Sequence, residues 1–174
     1  MPRTLHLLRH AKSSWDDPGA TDHERPLAPR GRRASATIAE HLREERISPA
    51  LVLCSSAVRT RQTLARVAAG FDPGSDLRIE IEGGLYDVSA AELLARIRGV
   101  ADGVGSVMLI GHEPAIGELA VDLAGPESDE AQLARLRDKF PTAALATFDC
   151  PRGWSELGPE AARLVAFVKP RELA

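Results

Sequence analysis

Short apolar runs alternate along the chain with segments of helical periodicity. Thr4 to Leu8 reads as a buried strand. Ala34, Ile38 and Leu42 recur at helical spacing, which predicts a helix over Arg32 to Arg46. Ala50 to Cys54 is a second strand-like run, followed by a helical stretch from Val58 to Ala69 that carries Leu64, Val67 and Ala68. The loop GFDPGSD leads to a predicted strand at Leu77 to Ile81. Ser89 with Glu92 forms a capping-box pattern ahead of Leu93, Leu94 and Ile97, so a helix begins there. Ser106 to Ile110 is a third apolar run, and Pro114 suits the first turn of a helix bearing Ile116, Leu119 and Leu123. A helix around Glu130 to Arg137 and strands at Ala143 to Phe148 and Leu164 to Val168 complete the pattern. Alternating strands and helices predict an α/β fold, a three-layer sandwich on a mostly parallel sheet with the helices as crossovers. No repeat, low-complexity tract or linker divides residues 1–174, which read as a single domain. Strand order is not written in this pattern.

Composition narrows the functional classes. Hydrophobic residues make up 44% and charged residues 27% of 174 residues, and the formal net charge is −3. That balance gives no reason to expect nucleic acid as a partner. The only cysteines, Cys54 and Cys150, suggest no disulfide framework and no CxxC pair. The opening MPRTLHLLRH lacks the apolar run of a signal peptide. No stretch approaches the roughly 20 apolar residues that span a bilayer. The expectation is a cytoplasmic protein, monomeric or a small homo-oligomer, with no membrane partner.

The candidate chemistry lies where the three apolar runs end. The first ends in Arg9-His10, the second in CSSAVRT with Arg59 at the next helix, and the third in Gly111-His112-Glu113-Pro114. Open α/β sheets bind ligands outside the carboxyl ends of their strands. Helix N-termini there add backbone N–H groups and partial positive charge. Arg9, His10, Arg59 and His112 gathered at one edge would suit a multiply charged anion, and phosphate is the obvious one. His6 precedes His10 by four residues, a metal-ligand spacing on a helix but not on a strand, so it reads as a core or supporting residue. His23 and His41 read as loop and helix-surface residues.

These segments also resemble a known family. RHAKSSW resembles the Arg-His-Gly signature of the histidine phosphatase superfamily, branch 1, with Arg9, His10, Ser13 and Trp15 matching, Ala11 in place of the glycine, and Asp16 where mutase-like members carry Asn. DHERPLAPRGRRAS, SSAVRTRQT and GHEPAI are similar to the family's following segments, and place its second phosphate arginine on Arg59 and its second histidine on His112. The chain length, LYDVSAAELL and KFPTAALATFD look most like the small SixA-type phosphohistidine phosphatases. The resemblance implies a phosphoglycerate mutase-like fold and a metal-independent phosphatase with no cofactor. It makes His10 a nucleophile that forms a phosphohistidine. Arg9, Arg59 and His112 would hold the phosphate, and Ser13 would touch it. The substrate would be a phosphorylated protein, in particular protein phosphohistidine. A small phosphate ester and a non-catalytic phosphate-binding role are the alternatives.

Other phosphate chemistries fit less well. A tyrosine phosphatase needs Cys-x5-Arg, but four residues separate Cys54 from Arg59, so Cys54 reads as strand-end packing. No GxxxxGK[ST] loop is present. Where many relatives carry a Glu proton donor, this chain has GGLYDVS, with Tyr86 at about that place. Asp87 and Asp16 are the leading candidate donors, with Asp17, Asp22 and Glu24 as further loop carboxylates.

Overall fold

The structure is a computed structural model that describes residues 2–173. Six strands form one sheet in the order β3-β2-β4-β1-β5-β6. They are β1 (Arg3–Arg9), β2 (Leu51–Ser55), β3 (Arg78–Glu82), β4 (Ser106–Gly111), β5 (Leu145–Cys150) and β6 (Arg163–Val168). β3, β2, β4 and β1 pair in parallel, whereas β5 runs antiparallel to both β1 and β6. β6 therefore points the same way as β1, and β5 is the single reversed strand. The helices are α1 (Pro29–Glu44), α2 (Val58–Val67), α3 (Ala90–Arg98), α4 (Ala115–Leu123) and α5 (Glu130–Asp138).

Period-two burial builds the two outer layers. Leu5, Leu7, Leu51, Leu53, Val107 and Leu109 share a core with α3, α4 and α5. Their neighbours Leu8, Val52, Cys54, Met108 and Ile110 share the other core with α1 and α2. Both faces of the central strands are covered, so these strands read as continuous apolar runs rather than alternating ones. Each expected element is present with its ends moved by a few residues. α1 starts at Pro29 because Pro is pre-organised for the first helical turn. α2 gives way after Val67 to a short 3-10 turn at Ala68–Gly70. The Ser89–Glu92 capping box forms as expected. Pro114 stands just before α4, at its N-cap, instead of inside its first turn.

The fold serves the strand ends. Arg9 lies opposite Gly111 in the β1–β4 register, and the His10 N–H donates to the Gly111 carbonyl at 3.1 Å. The next turn is held by Ala28, whose N–H donates to the Lys12 carbonyl. Gly31 in α1 allows this approach, since a Cβ there would lie 2.1 Å from the Lys12 oxygen.

His6 is the sheet's one buried titratable side chain on β1. It lies opposite Thr147 on β5, and its Nδ1 meets Thr147 Oγ1 at 3.0 Å. It is 4% exposed, and burial lowers its pKa to about 4. An unfolded chain binds a proton at His6 below its ordinary value of about 6.5, whereas the folded chain resists it until about 4. Stability therefore rises with pH across that window, and this residue should account for about 3 kcal/mol of the loss between pH 6.5 and 4. Urea unfolding at both pH values should show a shallower loss for His6→Gln than for the parent. Identical losses would show that His6 does not carry this linkage.

Candidate active site

The side chains singled out from the sequence meet at the carboxyl edge of β1, β2 and β4. His10 follows β1 directly and is 7% exposed. Its Nδ1 lies 2.7 Å from the carbonyl oxygen of Ala11. A carbonyl only accepts, so the neutral ring keeps its proton on Nδ1 and leaves the lone pair on Nε2. Burial lowers the His10 pKa to about 3, and His112, Arg59 and Arg9 press the same way. A neutral imidazole with a free Nε2 is a competent nucleophile at ordinary pH.

His112 leaves the end of β4 and lies beside His10, with ring centroids 5.2 Å apart. Its Nε2 meets Ser55 Oγ at 2.8 Å, while its Nδ1 is buried without a partner. Burial first, and Arg59 next, bring its pKa down to about 4. The Ala57 N–H donates to the same Ser55 oxygen, which leaves the hydroxyl proton free for His112 Nε2. In that arrangement Nδ1 bears the ring proton and is an unused donor. Nothing in the CSSAVRT segment itself marks Ser55 as a contributor.

The two arginines approach from opposite sides. Arg9 has the strand parity of Leu5 and Leu7, and its Nη1 donates to the Phe140 carbonyl at 2.9 Å. Its Nε is buried without a partner. Arg59, in the first turn of α2, donates from Nη1 to the Asp22 carbonyl at 2.7 Å and from Nη2 to Asp22 Oδ2 at 3.0 Å. Asp22 also accepts from Arg25 Nη1 at 3.0 Å and from the Tyr86 hydroxyl at 2.6 Å. The Tyr86 hydrogen bond, with those of Arg59 and Arg25, holds the Asp22 carboxyl well below its usual range. Such a group accepts hydrogen bonds but keeps no proton to give.

A cavity of about 210 Å³ opens here, lined among others by Asp22, Arg59, Tyr86, Asp87, His112 and Glu113. His10 reaches it through its neighbour His112 and does not itself line it. Ser13 is buried, and its hydroxyl takes a hydrogen bond from Arg25 instead of lining the cavity. Of the two leading candidate donors, Asp87 is at the cavity and Asp16 is not. Asp16 is exposed on the loop after β1, where its N–H donates to Ser14 Oγ.

Besides Ser55, three residues belong to the site that the sequence does not assign to it. His23 reads from sequence as a loop residue. Its Nε2 meets Ser56 Oγ at 2.8 Å, and its ring stands edge-on to Tyr86 at 4.7 Å. Arg25 lies against the ring of Trp15, with its Cζ 3.2 Å from the centroid, and bridges Asp22 and Ser13. Glu113, which lines the cavity, carries a carboxyl raised by burial and takes a hydrogen bond from the Gly117 N–H. The only sequence sign for the first two is their place in the DHERP segment, which resembles the family's. Among the described residues, no three His, Cys, Asp or Glu side chains cluster so as to hold a metal ion.

Residues 5–100 match the family model described as histidine phosphatase superfamily (branch 1). The uncharacterised protein Rv1276c of Mycobacterium tuberculosis is 38% identical over 94% of this chain and all of its own length. The phosphohistidine phosphatase SixA of Escherichia coli is 30% identical over 82% of this chain and 83% of its own. A solved structure of the protein histidine phosphatase SixA with tungstate has a TM-score of 0.76 at 25% identity, covering 98% of this chain and 99% of that one.

The protonation pattern is directly measurable. At pH 6, nitrogen-15 NMR of the imidazoles should show His10 neutral with its proton on Nδ1, and His112 neutral as well. A charged His10, or one protonated on Nε2, would contradict the geometry at Ala11.

Proposed function

Since the chain belongs to branch 1 of the histidine phosphatase superfamily, we propose that it is a metal-independent phosphatase acting through a phosphohistidine at His10, with protein phosphohistidine as its substrate. The observation that carries this reading is the neutral His10, whose Nδ1 is tied to the Ala11 carbonyl and whose ring adjoins His112. In the first step Nε2 attacks phosphorus and the bond to the leaving group breaks. In the second, water attacks the phosphorylated His10, releasing phosphate and restoring the imidazole. Arg9 and Arg59 hold the nonbridging oxygens, and His112 Nδ1 donates to one of them. Fixed cations and donors of this kind supply most of the stabilisation in phosphoryl transfer. The positive field comes from the chain itself, so the cycle needs no cofactor. The solved SixA relative was determined with tungstate, a tetrahedral oxyanion, which supports an oxyanion site in this fold.

The choice of phosphohistidine rests on the leaving group. An alkyl ester expels an alkoxide and needs a positioned acid. Asp22 is held ionised by Tyr86, Arg59 and Arg25 and cannot fill that role. Phosphohistidine protonated on its other ring nitrogen expels a neutral imidazole, whose conjugate acid has an ordinary pKa of about 6.5, and so departs with little help. E. coli SixA bears the name of a phosphohistidine phosphatase, which supports the same choice. Both cysteines are buried and free, which suits a reducing cytoplasm. No helix among the described residues is long and apolar enough to cross a membrane.

One observation favours a second reading. Glu113 lines the cavity with a raised carboxyl and could act as an acid for small phosphate esters. kcat/KM should be higher for a phosphohistidine protein than for a phosphoserine peptide or a sugar phosphate. Faster alkyl-ester turnover, lost in Glu113→Gln or Asp87→Asn, would establish the second reading instead.

The mechanism carries its own tests. His10→Ala should abolish turnover with the fold intact, and acid-labile, alkali-stable label should be trapped on His10 of the parent. Binding of phosphate without turnover by the parent would mark a regulatory module. Arg59→Ala should lower the rate on the order of 10²–10³-fold, like the loss of one oxyanion donor. Chelators should leave the rate unchanged; recovery of a lost rate by a divalent ion would end the metal-free mechanism.

A further inference from the structure

A second concavity of about 550 Å³ lies at the same sheet edge and has no part in the chemistry described so far. Six cations line it: Lys12, Arg30, Arg33, Lys139, Lys169 and Arg171. Asp138 is the only acidic group in its lining. The chain as a whole carries 22 Lys and Arg against 25 Asp and Glu, so this concentration runs against the overall charge.

The cations come from chain segments that the topology brings together. Lys12 follows His10 by two residues. Arg30 and Arg33 stand at the start of α1, Lys139 ends α5, and Lys169 to Arg171 leave β6. β6 runs parallel to β1, and reversed β5 begins at this edge, so all of these segments face the side on which His10 emerges. The wall between trough and site is shared: Phe140, next to Lys139, offers its carbonyl to Arg9, and the Ala143 N–H bonds the carbonyls of Arg9 and His10.

The state of these cations indicates the kind of partner. Lys12, Arg30, Arg33, Lys139 and Arg171 are exposed, and among the described residues their side chains make no ion pair or side-chain hydrogen bond. A preformed pocket for a small anion holds its cations in place by fixed partners, as Asp22 holds the buried Arg59 here. Solvated cations on flexible stems, spread over several segments around Ala34, Pro141 and Pro170, match a macromolecular surface of opposite charge.

We propose that this basic trough docks an acidic surface of the phosphoprotein substrate while its phosphohistidine enters the site beside it. The inference rests on the phosphoprotein reading above and adds the charge class of the partner. Docking acts on encounter and orientation, not on the phosphoryl step.

The test uses two double variants, Arg30→Glu with Arg33→Glu, and Lys139→Glu with Arg171→Glu. Acidic side chains at the start of α1 also favour its N-terminus, so the first pair should fold. Each is assayed on a small acidic protein phosphorylated on a surface histidine with phosphoramidate, on an uncharged phosphohistidine peptide, and on p-nitrophenyl phosphate. kcat/KM on the acidic protein should fall about ten- to a hundredfold in either variant. The parent's rate on that protein should fall with added salt, and the two small substrates should be unaffected. An unchanged rate on the acidic protein, or an equal loss on all three substrates, overturns the docking role.

Should the parent turn over only the aryl phosphate, the phosphoprotein reading fails, and calorimetry with the unphosphorylated acidic protein then decides the trough. Salt-sensitive binding that both variants lose supports docking, and no binding by the parent overturns it. Tight binding of tripolyphosphate, lost in the variants while the acidic protein fails to bind, marks a small-anion site and also overturns the proposal.

Discussion

The register between the two central parallel strands governs the rest of the structure. Arg9 faces Gly111, and His10 closes the ladder on the Gly111 carbonyl. A slip of one residue would exchange the sides of Arg9 and His10 and turn every apolar side chain of β1 to the wrong layer. The burial of Leu5 and Leu7 against α3 and α4, and of Leu8 against α1 and α2, makes that slip costly. The forces that hold the core therefore also set the 5.2 Å approach of His10 to His112.

Bringing two arginines and two histidines together has an electrostatic cost, and the chain meets it in two ways. The histidines stay neutral, driven mainly by burial. Asp22 answers Arg59 and Arg25 with a carboxylate, anchored further by Tyr86. Arg9 has a weaker counter-charge in Glu113, which opposes the lowering that burial imposes on it. In the proposed cycle an incoming phosphate would meet an Arg59 already hydrogen-bonded to an anion, and would share or displace a contact instead of filling an unscreened hole.

Much of this was legible in the sequence because it is local. Apolar runs of strand length, the 3.6-residue recurrence of Ile38 and Leu42 and the Ser89–Glu92 box each depend on neighbours a few residues away. The strand ends could be named for the same reason, which is how Arg9, His10, Arg59 and His112 came into view. What stayed hidden is long-range. Strand order and the reversal of β5 leave no periodic mark, because buried strands of either direction share one composition. The Asp22–Tyr86 hydrogen bond joins residues 64 apart, and Asp22–Arg59 joins residues 37 apart. His23 looked like a loop residue because nothing local tells a solvated 3-10 turn from one folded over a cavity. Asp16 and Asp87 were equivalent in sequence, and only the path of the loop after β1 separates them.

The bond from His10 Nδ1 to the Ala11 carbonyl bears on the chemical identity of the proposed intermediate. Imidazole has two nitrogens, and phosphohistidine accordingly exists as two regioisomers with different lability. With Nδ1 occupied by a carbonyl at 2.7 Å, the phosphoryl group in the proposed cycle is confined to Nε2. The enzyme would carry the tele isomer alone, whichever isomer its substrate presents. In that cycle a single backbone oxygen fixes the regiochemistry of the phosphoenzyme, and an isomer-specific antibody would see it as one species even when the substrates are two.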